Sequence, residues 1–579
     1  MRRLLLAVCA AVVAVPAAAQ LSDTPVIRYR DVTHPQLGDA GMVATQNRYA
    51  SEIGARILEQ GGNAVDAAVA IGFSMAVVYP RAGNLGGGGF MLVYDAEQGD
   101  TVAIDYREMA PVNASRHMYL DDSGEVDRMR TYFSHLSAGV PGTVAGMWHA
   151  HQRYGRLPWE KLLQPAIDQA SNGIVVGYDM AVLLQTQQER LCRDETTCRY
   201  YFKEGGAPYE PGDVLVQKDL AHTLNLIARH GPDGFYAGET AEKIAEEMQR
   251  GGGLVDLESL AQYEVDVREP VRGTYRGYEI VAMPPPSSGG VHILQMLNVL
   301  EQFPVREMGS ESADAVHLLA EVARLAYADR SKHLGDSDYY DVPLNWLTSK
   351  EYGEQLAASI DMTKARPSEE VAPGVAASYE SPDTTHFSVI DADGNMVANT
   401  YTLNFTFGSG ISVEGAGFLL NNEMGDFVAK PEMPNAFGLL GGDANAIEPG
   451  KRPLSSMVPA MLFGEDGTAI ATGSMGGSRI ITGVLQTIVN IIDHEMNIAE
   501  AAAAPRMHHQ WYPDRLQLEP GFSPDTIRIL TERGHEVLDS TYSMGSTQTV
   551  SFQDGLFRGA SDTRRPHAGT AAPESVRDQ

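Results

Sequence analysis

The chain has 579 residues, of which 43% are hydrophobic, so it is long enough to bury a large core. Its 44 basic and 75 acidic residues give a formal net charge of -31 at pH 7. A charge of this sign argues against nucleic acid, an anionic membrane surface or another acidic polymer as a partner, because like charges repel. It does not restrict a small substrate, since one site can be locally basic.

The N-terminus has the pattern of a secretory signal peptide. Arg2 and Arg3 form a charged region, Leu4 to Val15 is apolar, and Ala17–Ala19 offers small residues for cleavage. The apolar run is shorter than the roughly 20 residues that a membrane span requires. We predict a signal peptide at residues 1–19 and an exported protein, periplasmic or secreted, with no membrane anchor after cleavage. A retained anchor is the alternative.

Export also bears on the cysteines. Cys9 leaves with the signal peptide, and Cys192 and Cys198 remain on either side of five residues. Two close cysteines in an oxidising compartment predict a disulfide. No second pair or neighbouring histidine completes a metal-ligand set, and His508-His509 is adjacent rather than spaced for a metal. We therefore predict no metal and no cofactor.

In the first part of the chain, Asn63 is the predicted N-cap of a buried helix at Ala64–Val78. The glycine run Gly86–Gly89 lacks the Lys-Ser/Thr that a phosphate-binding loop needs, which favours a tight turn with close backbone approach. The strand Thr101–Asp105 places Arg107 at a strand end.

The middle of the chain, from Ser137 to about Gln302, is predicted to be mostly helical, and Leu318–His333 is a further helix. Lys364–Ser381 is rich in Pro, Glu, Ala and Ser and has no apolar periodicity, so we expect it to be mobile.

A hairpin follows, with strands at Thr385–Ile390 and Met396–Leu403. A three-residue loop with glycine in the left-handed position fits Ala392-Asp393-Gly394. This register places Thr384 opposite Thr402, whereas a two-residue loop would place Thr385 there instead.

Thr384 begins that hairpin directly after a polar, proline-bearing segment that ends in Asp383. Cleavage of the Asp383–Thr384 bond would give Thr384 a free α-amine with a pKa near ~7.7–8, which can act as a general base. A threonine with its own terminal amine is a known activated nucleophile. The alternative is an ordinary threonine-rich strand start.

The last third is predicted to contain a long loop at Asp426–Asn445, of a length that is usually functional. Strands at Leu454–Leu462 and Thr468–Gly473 and a helix at Gly483–Glu495 follow.

Several motifs in a fixed order resemble the γ-glutamyltransferase (glutathione hydrolase) family. The residues that carry the resemblance are Asn84–Met91, Asp105–Pro111, Thr384–His386, Thr400–Asn404, Leu419–Asn422, Arg452–Met457 and Gly473–Arg479. The similarity runs from about Ala44 to about Asp562, nearly the whole mature chain.

The resemblance implies an α+β fold, the four-layer αββα sandwich of N-terminal-nucleophile hydrolases. It also implies cleavage of one precursor into a large subunit at residues 20–383 and a small catalytic subunit at residues 384–579, which together form one globule as a heterodimer. The implied reaction transfers a γ-glutamyl group from glutathione, glutamine or a similar donor to water, an amino acid or a peptide.

The resemblance further assigns roles within the site. Thr384 is the nucleophile, Thr402 orients its hydroxyl, and the amides of Gly476 and Gly477 hold the oxyanion, as bare glycine backbone allows. The resemblance implies that Arg107, whose planar fork suits a carboxylate, binds the substrate carboxylate together with Ser455 and Ser456. It also implies that the substrate ammonium is bound by Asn404, Glu423 and Asp426.

One departure concerns the lid loop. Where many bacterial relatives have tyrosine, this chain has Phe437. Its ring can cover the pocket but cannot close the lid through a phenolic hydrogen bond, which leaves the balance of hydrolysis and transfer open. Two alternative functions remain: a β-lactam or glutaryl acylase on the same scaffold, and an uncleaved, inactive exported binding protein.

Overall fold

The computed structural model describes residues 32–371, 384–430, 433, 441–540 and 543–574. The signal peptide, Asp383 and the lid residue Phe437 lie outside these ranges. None of the helices within them is both long and apolar enough to cross a membrane.

The strands that the structure describes are mostly short and antiparallel. They are β1 (Gln36–Gly38), β2 (Gly41–Thr45), β3 (Gly88–Asp95), β4 (Asp100–Tyr106), β5 (Ile174–Val175), β6 (Val214–Leu215), β7 (Asp266–Arg268), β8 (Val271–Tyr275), β9 (Tyr278–Ala282), β10 (Thr385–Asp391), β11 (Met396–Thr402), β12 (Ala460–Gly464), β13 (Ala469–Thr472), β14 (Met507–His508), β15 (Leu516–Leu518), β16 (Val537–Asp539), β17 (Gln548–Gln553), β18 (Leu556–Ser561) and β19 (Gly569–Ala571).

The helices fall into two groups, one before and one after the β8–β9 hairpin. They are α1 (Arg48–Glu59), α2 (Ala64–Val78), α3 (Arg128–Tyr132), α4 (Thr143–Tyr154), α5 (Trp159–Asn172), α6 (Tyr178–Leu191), α7 (Glu195–Tyr201), α8 (Lys218–His230), α9 (Asp233–Tyr236), α10 (Gly238–Gly251), α11 (Leu257–Ala261), α12 (Gly289–Leu300), α13 (Val305–Met308), α14 (Ala313–His333), α15 (Leu344–Leu347), α16 (Lys350–Ala357), α17 (Arg479–Ile492), α18 (Ile498–Ala503) and α19 (Pro524–Glu532).

Two seven-stranded sheets form the centre of the molecule. Sheet I has the strand order β19-β2-β10-β11-β3-β4-β7, and sheet II has the order β1-β18-β17-β13-β12-β9-β8. Each sheet contains strands from both sides of the 372–383 segment, so neither part of the chain could form its sheet alone.

Sheet I is buried on both faces because its side chains alternate between two cores. In β10, Phe387 and Val389 pack into a first core with α1, α2, α4, α5 and α8. Ile390 of the same strand packs into a second core with sheet II, α12, α14 and α17. The order of layers is therefore helix, sheet, sheet, helix, which confirms the αββα architecture.

The hairpin register is as the sequence predicts. Thr385 pairs with Tyr401 and His386 with Thr400, and the loop glycine Gly394 has φ +88°. Thr384 consequently lies at the start of β10 beside Thr402, the last residue of β11.

The helix at Ala64–Val78 also forms as predicted. Asn63 and Asp66 make a reciprocal capping box, in which each side chain accepts from the other's backbone amide. The observed boundaries of two other elements differ from the predicted ones. The predicted strand Leu454–Leu462 begins only at Ala460, because the backbone of Ser455 hydrogen-bonds Pro286 and Ser288 instead of a strand. The predicted helix Gly483–Glu495 runs from Arg479 to Ile492.

The region from Ser137 to about Gln302 is mostly helical, as predicted, and it also contains the hairpin β8–β9, whose two-residue turn, Arg276-Gly277, has φ +47° and +85°. Of the segment Lys364–Ser381, which the sequence predicts to be mobile, residues 372–381 lie outside the described ranges. Its first part is tied to the rest of the chain. Ser368 is fully buried, its hydroxyl donates to the carbonyl of Trp511 at 2.6 Å, and the Trp511 indole donates back to the Ser368 carbonyl at 2.9 Å.

The two cysteines form a disulfide. Cys192 ends α6 and Cys198 lies in α7, so the bridge joins two consecutive helices.

A buried histidine pair joins α14 to the turn after α19. His317 Nδ1 and His535 Nε2 are 2.7 Å apart, and His317 Nε2 is 2.9 Å from the carbonyl oxygen of Asp361. Since that carbonyl can only accept, His317 donates through Nε2 and accepts the His535 proton at Nδ1. His317 is therefore neutral. Burial, together with the neighbouring His317, His509 and Arg324, lowers the pKa of His535 to about 2, so His535 is neutral as well.

This pair predicts a loss of stability in acid. An unfolded histidine titrates near ~6.5, so below that pH the unfolded chain binds protons that the folded chain excludes. Each such histidine lowers the free energy of unfolding by up to about 1.4 kcal/mol for each pH unit below that value. We expect His535→Gln, which keeps an N–H donor, to show a smaller fall in melting temperature between about pH 7.5 and about pH 5.

The matched control is His230→Gln, at an exposed position at the end of α8. It should follow the parent at both pH values. An identical pH dependence for His535→Gln and the parent would contradict the prediction.

Candidate active site

Nine of the ten residues proposed for catalysis or substrate binding line one cleft of about 330 Å³. They are Thr384, Thr402, Gly477, Arg107, Asn404, Glu423, Asp426, Ser455 and Ser456. Gly476, the tenth, directly precedes Gly477. The cleft lies where the start of β10 meets the loops after β4, β11 and the β12–β13 region.

Two threonine hydroxyls face each other at the floor of the cleft. Thr402 Oγ1 is 3.5 Å from Thr384 Oγ1, and it accepts a hydrogen bond from the amide of Asn404 at 2.9 Å. In the contact between the two hydroxyls, Thr402 donates and Thr384 accepts. Both side chains are almost fully buried.

The glycine turn before β3 fixes the position of Thr402. The side-chain amide of Asn84 donates to the Thr402 carbonyl at 2.9 Å and accepts from the Gly87 amide at 3.0 Å. A β-carbon on Gly87 would lie 2.0 Å from that carbonyl oxygen, which no side chain could tolerate. Close backbone approach is thus the reason for glycine here.

Arg107 lies at the centre of a buried cluster of charges. Its Nη1 donates to Glu423 Oε1, its Nη2 donates to Asp426 Oδ2 at 2.8 Å, and a carboxylate oxygen of Glu108 is 3.6 Å away. Nε donates to the Pro453 carbonyl at 3.2 Å. Burial by itself lowers the pKa of Arg107, but the three carboxyl groups outweigh burial and raise it.

For the carboxyl groups around Arg107, burial outweighs the effect of the charged neighbours. Burial raises the pKa of Glu423 and Asp426, and Arg107 offsets only part of the rise. Burial likewise raises the pKa of Glu108 to about 7. Glu423 Oε2 has no hydrogen-bond partner among the residues that the structure describes, so it is a spare acceptor on the cleft wall.

Ser455 and Ser456 form the opposite wall. Ser455 Oγ accepts from the Met457 amide at 3.1 Å, and Ser456 Oγ accepts from Arg330 Nη2 at 3.2 Å. Each hydroxyl therefore has its proton free to donate to a ligand.

Gly476 and Gly477 lead into α17 with φ of +127° and +57°. These values lie in the left-handed region that favours glycine. A helix N-terminus carries partial positive charge, so the start of α17 adds to any stabilisation of an anion beside Gly477.

Residues that the sequence did not single out complete the cleft. Leu454, Met457 and Ile480 supply apolar surface, and Arg330 supplies a second cation. An arginine in the last turn of a helix is ordinarily explained by the helix dipole, so Arg330 carried no distinguishing signal. Glu108 followed Arg107 in a matched motif but was given no role.

Potential metal ligands cluster elsewhere. Within the described ranges, ligand atoms of His317, Glu321 and His535 lie within 4.8 Å of one another. The histidines bond each other and Glu321 pairs with Arg324, so this group is outside the cleft and already hydrogen-bonded.

Comparison with known proteins agrees with the resemblance of the motifs. A family model described as gamma-glutamyltranspeptidase matches residues 50–572. The glutathione hydrolase proenzyme of Escherichia coli (strain K12) is 51% identical over 94% of this chain and 95% of its own length.

Two solved structures are similar in fold. A cephalosporin acylase from Bacillus halodurans matches with a TM-score of 0.84 and 27% identity, over 97% of this chain and all of its own. A chain of the Helicobacter pylori gamma-glutamyltranspeptidase matches with a TM-score of 0.55 and 46% identity, over 56% of this chain and 93% of its own. On this evidence the chain belongs to the gamma-glutamyltranspeptidase family.

Proposed function

We propose that the protein hydrolyses and transfers the γ-glutamyl group of glutathione and related compounds through a γ-glutamyl ester on Thr384. The observation that carries the proposal is the single cleft in which a threonine pair faces a buried Arg107–Glu423–Asp426 cluster. A nucleophile beside groups that complement an amino acid head is what a γ-glutamyl donor requires.

Maturation comes first. The Thr384 hydroxyl attacks the Asp383 carbonyl, so that the C–N bond breaks and an ester forms with release of the Thr384 α-amine. Water then hydrolyses the ester, which leaves Asp383 with a C-terminal carboxylate and restores the Thr384 hydroxyl. The product is a large piece of residues 20–383 and a small piece of residues 384–579. The pieces stay together because both sheets contain strands from each of them. The proenzyme name of the E. coli relative is consistent with this step.

In the acylation step, the Thr384 hydroxyl attacks the γ-carbonyl and its proton passes to the free amine. Thr402, 3.5 Å away, donates to the Thr384 oxygen and orients it. The amides of Gly476 and Gly477 bind the oxyanion, for which one well-placed donor contributes ~2.7–4 kcal/mol. The amine then gives the proton to the departing leaving group. In the second half of the reaction, water or an acceptor amine attacks the ester and passes its proton to the Thr384 amine. The Thr384 oxygen takes that proton as the γ-glutamyl group leaves it.

The glutamyl head binds by charge and hydrogen bonds. Its ammonium meets Asp426, the side-chain oxygen of Asn404 and the spare Glu423 Oε2. Its carboxylate meets Arg107 and the hydroxyls of Ser455 and Ser456. A glutaryl acylase would not need acceptors for an ammonium, which is why we favour a glutamyl donor despite the similarity to a cephalosporin acylase.

The reaction takes place outside the cytoplasm on this proposal. The N-terminal signal sequence directs the precursor to the periplasm or the medium, where the mature heterodimer meets exported peptides and amino acids. It carries no membrane anchor after cleavage.

The test of the function compares two chromogenic donors, γ-glutamyl-p-nitroanilide and glutaryl-p-nitroanilide, which differ only in the α-amino group. Purified mature protein should release p-nitroaniline much faster from the first. A preference for the glutaryl donor would establish the acylase alternative, and no release from either would support the inactive binding protein.

Thr384 substitutions test the nucleophile. Thr384→Ala should remain one chain and be inactive, because no hydroxyl can attack the carbonyl of Asp383. Thr384→Ser keeps a hydroxyl and should be processed, but more slowly. Denaturing gels and N-terminal sequencing give the answer. Efficient processing of purified Thr384→Ala would contradict the assignment.

Arg107 substitutions test the head-group site. Arg107→Lys retains one charge but cannot bridge Glu423 and Asp426 with a planar fork. We therefore expect Arg107→Lys to raise KM for γ-glutamyl-p-nitroanilide. Arg107→Ala removes the charge altogether, so its loss in kcat/KM should correspond to about 2–5 kcal/mol, mostly through KM. The proportion of processed chain on a gel serves as the control for folding. An unchanged KM would place the head-group site elsewhere.

Phe437→Tyr tests the lid. A phenol that finds a partner would hold the loop over the acyl-enzyme and exclude water, so the ratio of transfer to hydrolysis should rise. The ratio is measured from the products at a fixed glycylglycine concentration. The same ratio in parent and variant would mean that position 437 does not control water access.

A further inference from the structure

Arg330 is a buried guanidinium that lines the cleft without a carboxylate partner. It lies near the end of α14 with only 4% of its surface exposed. Nε donates to Ser288 Oγ at 2.9 Å and Nη2 donates to Ser456 Oγ at 3.2 Å. No carboxylate oxygen of the described chain lies within 4.0 Å of it.

Three other buried arginines of the described regions each pair with a carboxylate. Arg324 pairs with Glu321, Arg452 with Asp266, and Arg506 with Asp562. An unpaired buried charge is costly, and hydroxyl partners supply dipoles rather than an opposite charge. Burial, together with nearby Arg107, lowers the pKa of Arg330 to about 10, and Tyr327 and Asp426 offset only part of this fall. Arg330 is therefore a cation at neutral pH without a direct carboxylate partner in the described chain.

Arg107, by contrast, has few donors left. Its Nε, one N–H of Nη1 and one N–H of Nη2 are engaged, and Nη1 also faces Glu108. Three carboxyl groups surround its single positive charge, so Arg107 alone attracts an incoming carboxylate less strongly than an unpaired arginine would. An incoming carboxylate gains more from a cation that is not already neutralised.

We propose that Arg330 is a further binding residue for the donor's α-carboxylate, acting together with the Ser456 hydroxyl. Arg107 binds the same carboxylate through its remaining N–H and also holds Glu423 and Asp426 in place for the ammonium. The inference rests on the proposed function, since it names how the same site recognises a γ-glutamyl head.

The hydroxyl geometry supports the assignment. Ser456 Oγ accepts from Arg330, so its own proton points away from the guanidinium and toward the cleft. A carboxylate in front of both groups would receive one hydrogen bond from Ser456 and one from Arg330. Arginine suits this role because its N–H groups lie in a rigid plane.

The test uses two donors that differ only in the α-carboxylate, γ-glutamyl-p-nitroanilide and 4-aminobutyryl-p-nitroanilide. We expect Arg330→Met to lower kcat/KM for the γ-glutamyl donor about ten- to a hundredfold, the range for a hydrogen bond to a charged group. The loss should come mainly from KM. The 4-aminobutyryl donor should lose much less, so that the discrimination between the donors collapses.

Two control variants separate binding from structure. Lys332→Met removes one positive charge from the same helix turn at an exposed position and should leave both donors unaffected. Ser288→Ala removes the outer partner of Arg330 but no group of the cleft, so it should preserve the discrimination. If Arg330→Met is not processed to two chains, Arg330→Lys decides. It keeps the charge with fewer planar donors and should recover part of the discrimination.

Parallel losses for both donors in Arg330→Met or Arg330→Lys, or no loss for either, would overturn the assignment while leaving the proposed function intact. A processed parent that does not turn over the γ-glutamyl donor would instead overturn the proposed function, and the assignment with it.

Discussion

The register of β10 against β11 is the constraint on which the site depends. A shift of one residue would exchange the two faces of β10, moving Phe387 and Val389 out of the first core and replacing Thr384 by Thr385 beside Thr402. Burial on both faces of sheet I makes such a shift very costly, and Gly394 fixes the loop length. The packing of sheet I therefore fixes the relative position of the Thr384 and Thr402 hydroxyls, and its free energy is far larger than that of the contact between them.

Charge organises the rest of the cleft. Arg107 brings Glu423, Asp426 and Glu108 together in a buried site, where two unit charges about 4 Å apart interact by about 4 kcal/mol at an effective dielectric constant near 20. Burial is the main reason that the pKa values of these carboxyl groups are raised, and repulsion between the acids adds to it. In the proposed complex, the substrate ammonium would lie beside the acids and the substrate carboxylate beside Arg330, so each buried charge would gain an opposite charge.

Much of this arrangement follows from the sequence. The hairpin and its register could be predicted because the turn chemistry and strand alternation are local, and Arg107 because a strand end and a matched motif coincide. The strands β8 and β9 were missed since Arg276-Gly277 is an unusual two-residue turn. Arg330 and the pair of His317 and His535 gave no local signal, because their significance depends on partners distant in the chain.

The boundaries of individual elements also depend on contacts between distant parts of the chain. Ser455 belongs to a loop rather than a strand because Pro286 and Ser288 take its backbone hydrogen bonds. The same contact places Ser288 beneath Arg330. Local sequence does not predict which of these loops contact each other, because those contacts depend on the packing of the whole sandwich.

The central claim is that Thr384, as a new N-terminus, carries the γ-glutamyl group. The most direct measurement is acid quenching of the enzyme during turnover of a γ-glutamyl donor, followed by proteolysis and mass analysis of the peptides. The account predicts that the small subunit begins at Thr384 and that its N-terminal peptide alone gains the mass of one glutamyl residue. A glutamyl group on any other peptide, or a small subunit that begins elsewhere, would contradict it.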